Sequence, residues 1–170
     1  MAGEPAAPSR LARLRREIDV DLVALDARSA EVEELLVRWR DAGALPRAEL
    51  VLVAVNLHGW YTALETLLER VARLLDDDVP SGPTWHTDLI EQMQVDVPGV
   101  RAAVVPQVAN SELHELRKFR HFFRNAYLLE LDPGRIREHA DRLVRAHLVV
   151  RPAIAALRAQ VDAMLASAAV

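Results

Sequence analysis

Apolar residues recur at intervals of three and four along most of the chain, the spacing that puts side chains on one side of an α-helix. Leu11, Leu14, Ile18, Leu22, Leu25, Val32, Leu36 and Trp39 hold it as far as Arg40. This predicts a long amphipathic helix with a narrow, coiled-coil-like seam, opened by Ser9 as a cap. The stretch DAGALP, Asp41 to Pro46, ends it, with Gly43 suited to a helix stop and Pro46 to a new start. From about Arg47 to Leu75 the pattern resumes through Leu50, Val53, Leu57, Trp60, Tyr61, Leu64, Leu68 and Val71. The opening LVLVAV is β-branched enough for a strand, but helical spacing persists for several turns beyond it, so a helix is predicted.

The loop DDDVPSGPTW follows, and a short helix is expected over His86 to Gln94 with Thr84 as its cap. Val97 to Pro106 holds two prolines and a glycine and reads as irregular. A central helix starts at Asn110 or Ser111 and runs to about Leu131, where Asp132-Pro133 supplies a cap and a first-turn proline for the last helix. That last helix carries Ile136, Ala140, Leu143, His147, Val150, Ile154, Leu157, Val161 and Leu165, with Pro152 placed to kink it. The predicted fold is all-α: an antiparallel bundle of four long helices plus one short crossover helix. Residues 1–8 read as a flexible tail and 9–170 as a single domain.

On a helical wheel at about 100° per residue, Leu113, Leu116, Phe119, Phe123, Ala126 and Tyr127 form one stripe of the central helix. Arg120 falls inside that stripe. An arginine on an apolar face calls for an anion or a partner carboxylate, here a ligand phosphate or a salt bridge to a neighbouring helix. Beside it lies a polar arc of Arg117, Arg124, His121, Asn125 and Lys118, and beyond that a second apolar side at Phe122 and Leu129. Two apolar faces separated by a basic arc suggest one face for the bundle and one for a partner, with the arc lining the cleft between.

Composition narrows the chemistry. The chain has 170 residues, half of them apolar, enough for one domain with its own core. It has no cysteine, which removes disulfides, zinc-thiolate sites and cysteine nucleophiles. The six histidines show no metal-ligand spacing such as HExxH. His58, His114, His139 and His147 are scattered and read as structural or solvated, and Trp85-His86 as a plug for the bundle end. The Asp76 to Asp78 run lacks the glycine and distal glutamate of a calcium loop and reads as a solvated helix end. No apolar run approaches the ~20 residues of a membrane span, and the N-terminus lacks the pattern of a secretory signal. The expectation is a cytoplasmic protein with no membrane association. A net charge of −4 argues against indiscriminate nucleic-acid coating, which leaves Arg117 to Arg124 as the densest local basic patch.

The residues RHFFRNAY, Arg120 to Tyr127, resemble the R-x4-H-x-Y motif of HepT-type toxins in the HEPN superfamily. The resemblance extends through NLHGWYTALETLLERVARLL, GPTWHTDLIEQM, the VPGVR turn and the central helix, roughly Leu50 to Asp132. It implies a small helical bundle that forms a homodimer, with the motif helices of both copies lining a shared cleft. It implies a metal-independent endoribonuclease needing no cofactor, with RNA as substrate and a nucleotidyltransferase antitoxin as cognate partner. In some such pairs the antitoxin adds AMP to the motif tyrosine.

Carried over, Arg120 takes the motif arginine, His121 the polar position after it, and Tyr127 the tyrosine open to AMPylation. Arg117, Lys118 and Arg124 would bind RNA. The motif histidine position holds Asn125, whose amide hydrogen-bonds a phosphate but moves no proton. Proton transfer contributes about 10²–10⁴-fold to such reactions, so its loss weakens activity. His121, one position along the arc, is the candidate to replace it. The alternative is a non-catalytic HEPN module that holds RNA or a nucleotidyltransferase without cutting.

Overall fold

The computed structural model describes residues 8–125 and 131–168. The expected tail lies almost wholly outside them, as do Tyr127, Leu129 and the side chain of Asn125. Five α-helices follow one another: α1 (Pro8–Ala42), α2 (Arg47–Val71), α3 (Trp85–Met93), α4 (Asn110–Asn125) and α5 (Pro133–Ala168). Four are long and α3 is the short crossover, and no strand occurs among the described residues.

α1 packs along both α2 and α5, and α4 closes the bundle against α2 and α5. The seam read from the sequence is the core. Leu14, Ile18, Leu25 and Val32 of α1 meet Val53, Leu57, Trp60 and Leu64 of α2 and Leu143, Val150, Ile154 and Val161 of α5, all essentially inaccessible to water. Leu35 rather than Leu36 occupies the seam near the end of α1, and Leu36 is only partly buried.

The helix ends follow local chemistry. Gly43 adopts φ of 74°, the left-handed conformation that stops α1. Asp132 Oδ1 accepts the Arg135 N–H at 2.8 Å and caps α5, which runs through Pro152 to Ala168. Thr84 departs from expectation: its hydroxyl goes to Asp88 Oδ2 at 2.8 Å and makes no cap bond to the backbone. α2 ends in a π-helical turn over Ala72–Asp76, closed by Asp77 at φ of 52°.

That turn aims Asp76 inward, so the acidic run is only in part the solvated helix end expected: Asp77 and Asp78 are exposed and Asp76 is not. Asp76 receives Arg101 Nε at 2.7 Å and Nη2 at 2.6 Å. The arginine side chain is wholly inaccessible, and its remaining donors go to the carbonyls of Gln92, Val95 and Ala102. The irregular segment is therefore pinned by one bidentate ion pair and by the carbonyl of Met93, which accepts from both Val104 and Val105. This anchoring fixes where the chain enters α4.

Candidate active site

Arg120 of α4 meets a carboxylate from its own chain. Its Nη2 lies 2.9 Å from Glu65 Oε1 of α2, and its Nε donates to Thr62 Oγ1 at 3.2 Å. The other oxygen of Glu65 takes the Nδ1 of His86, at the start of α3, at 2.5 Å. A carboxylate only accepts, so the proton in that contact sits on His86 Nδ1. The Glu65 side chain is 5% exposed and that of Arg120 14%, so the pair is buried with a small part of the arginine open to solvent. The Tyr61 ring lies 6.0 Å from the Arg120 guanidinium carbon. Burial, with Glu65 nearby, pushes the Tyr61 phenol well above its ordinary value and keeps it neutral. Trp85 stacks on His86 with ring centres 3.6 Å apart and packs, partly buried, against the core, while the imidazole itself serves the ion pair.

A basic face borders this pair. Arg117, Arg120 and Arg124 sit at helical intervals of three and four along one side of α4. From α1, Arg28 reaches across α2 and lies flat on Gly59. A Cβ at that position would stand 2.5 Å from the Arg28 guanidinium carbon, so glycine is what lets the arginine come so close. Among the described residues Arg28, Arg117 and Arg124 have no carboxylate partner. Arg117 Nε is moreover enclosed without a hydrogen-bond partner among them. Lys118 is elsewhere, 62% exposed and paired with Glu115. His121 is exposed.

His58 of α2 stands inside this face. Its ring is 5.4 Å from that of Phe123, and its Nδ1 is enclosed with no hydrogen-bond partner among the described residues. Burial, then Arg120, Arg124 and Arg28 in that order, hold its imidazole below the ordinary histidine value, so it is neutral near pH 7. Two of the scattered histidines pack against other side chains, His139 buried and His147 partly buried. His139 lies against Phe119, and His147 lies between Trp60 and Asp26.

The structure thus brings Arg117, Arg120 and Arg124 to one face and leaves Lys118 off it. Sequence reading missed Glu65, Thr62 and His58. Glu65 had a usable signal: it falls among Leu57, Tyr61, Leu64 and Leu68 on the buried stripe of α2, the mirror of an arginine on a stripe. His58 carried none, because its place beside α4 comes from helix packing.

Phe122, 52% exposed, faces away from the basic side. It lines a groove with Phe119, Leu131, Ile136 and His139 between α4 and α5. Among the described residues no three acidic or histidine side chains converge as a metal cluster, and no helix is long and apolar enough to cross a membrane.

The sequence model of one family, described as HepT-like protein, matches residues 52–161, which covers most of α2, all of α3 and α4 and most of α5. No curated protein and no solved structure matches the chain. With the arginine of the RHFFRNAY segment held against α2 inside an all-helical bundle, and with more than half of its length matched, the chain belongs to the HepT-like family of the HEPN superfamily.

Proposed function

We propose that the protein is a HepT-like endoribonuclease that works as a homodimer and is restrained by a nucleotidyltransferase antitoxin. One observation supports this above the others. A chain of net charge −4 gathers Arg28, Arg117 and Arg124, without carboxylate partners among the described residues, around an Arg120 whose orientation Glu65 and Thr62 fix. Among the described residues Glu65 and Thr62 engage two of the five guanidinium N–H groups, which leaves donors on the partly open arginine for a phosphate oxygen. In this reading Arg120 stabilises the charge that builds on phosphorus as the 2′-oxygen attacks. Arg117 and Arg124 hold the flanking phosphates, and Asn125 hydrogen-bonds the scissile group. Tyr127 is the acceptor for AMP.

The test is incubation of the purified protein with total tRNA and EDTA, beside Arg120→Ala and Arg124→Ala. The expected result is cleavage that leaves 2′,3′-cyclic phosphate ends, lost in the first variant and weakened in the second. Because Arg120 also supports the fold, each variant is first shown to have the wild-type circular dichroism spectrum. Equal product from the wild type and a folded Arg120→Ala would end the proposal.

Asn125 favours a second reading, a non-catalytic module that holds RNA or the nucleotidyltransferase. Asn125→His separates the two. If the wild type leaves tRNA intact and the variant cuts it, the native chain is a binder.

A further inference from the structure

Metal-free cleavage of RNA needs a group that accepts the 2′-hydroxyl proton near neutral pH, and an asparagine amide does not titrate. We infer that His58, on α2 and outside the RHFFRNAY segment, is that proton acceptor; this rests on the ribonuclease reading above.

The geometry carries the assignment. His58 lies one turn before Thr62 and two before Glu65, the residues that orient Arg120, so imidazole and guanidinium share one ledge of α2. Phe123 of α4 packs against its ring, and Arg28 of α1 covers the adjacent Gly59. The charges that act on it are Arg120 and Arg124 from α4 and Arg28 from α1, all cationic. On its own helix the nearest carboxylate of the site, Glu65, is engaged by Arg120 and His86. An imidazole among cations stays neutral near pH 7, so its lone pair is present to take a proton, though as a weaker base. The same cations that depress its basicity draw the RNA backbone onto it. Its Nδ1 is enclosed, and with the proton on Nδ1 the lone pair that accepts is that of Nε2.

The step balances without another protein group. Nε2 takes the 2′-hydroxyl proton, the 2′-oxygen bonds to phosphorus, and the bond from phosphorus to the 5′-oxygen breaks. The departing 5′-oxygen gains a proton from water, and the imidazolium returns its own to solvent. The product is a 2′,3′-cyclic phosphate.

Cleavage of total tRNA in EDTA is followed from pH 5 to 8 for the wild type, His58→Ala, His58→Gln, His121→Ala and Arg120→Ala. The wild type should lose rate only below pH 6.5, because burial and the three arginines displace the acid limb downward. Both His58 variants should lose about 10²–10⁴-fold, the usual contribution of proton transfer, and the acid limb with it. Added imidazole should restore part of the rate to His58→Ala and none to Arg120→Ala, a rescue that a merely structural role for His58 would not give. Wild-type rate and pH profile in both His58 variants, or loss of the acid limb in His121→Ala instead, would overturn the assignment and leave the ribonuclease reading standing. A wild type that cuts no better than Arg120→Ala would overturn both.

Discussion

Truncating Arg120 should cost stability as well as any activity, and the structure sets the size. Removing one partner of a buried ion pair costs about 3–5 kcal/mol, because the charge left behind stays desolvated. Arg120→Ala leaves Glu65 at 5% exposure, but the carboxylate keeps the His86 N–H, and a small part of the arginine is already open to solvent. The expected loss therefore sits below that range, at about 2–3 kcal/mol, the worth of a charged hydrogen bond and part of the desolvation. With a urea slope of about 2 kcal/mol/M for a domain of this size, the unfolding midpoint should fall by about 1–1.5 M.

Glu65→Ala and the double variant complete the cycle. The double variant should be less destabilised than the sum of the two singles by about 1.5–2 kcal/mol, since it strands neither charge. All four proteins are compared at one protein concentration, because any association shifts the midpoint. A coupling below about 0.5 kcal/mol would mean that the pair does not form as described. The role given to Glu65 in orienting Arg120 would then be lost.

Arg101→Met should destabilise by about 3–5 kcal/mol by urea unfolding, since it leaves buried Asp76 with only the Gln92 amide and strands three carbonyls together. Gly59→Ala should leave stability unchanged or raise it by up to about 0.5–1 kcal/mol, as alanine does inside a helix. The new methyl displaces the flexible Arg28 guanidinium, so the slope of log affinity for single-stranded RNA against log salt should fall by about 0.7, one phosphate contact; an unchanged slope would remove Arg28 from the binding face. His58, His139 and His147 are all held below the ordinary histidine value, chiefly by burial. The unfolded chain then binds more protons than the folded one below about pH 6.5, so the stability these residues contribute is intact above that pH and lost as it falls. The urea midpoint should drop between pH 7 and 5.5, and a flat profile across that window would contradict their burial.

The sequence by itself determined the helices, their order and most of their ends. Periodic apolar residues, a glycine with φ of 74° and an Asp-Pro cap are local rules that act within a few residues. It also marked Arg120 as a charge that had to meet an anion. Only the tertiary structure decided which anion. Glu65 lies 55 residues earlier and reaches Arg120 because α2 and α4 pack side by side, and the same packing brings Arg28 and His58 to the basic face. Asp76 made the same passage, from an apparent surface run to a buried partner of Arg101, through a π-helical turn with no local signature. A charged side chain is read from sequence as a demand for a counter-charge, but distance through the core, set by how whole helices dock, chooses the residue that answers it.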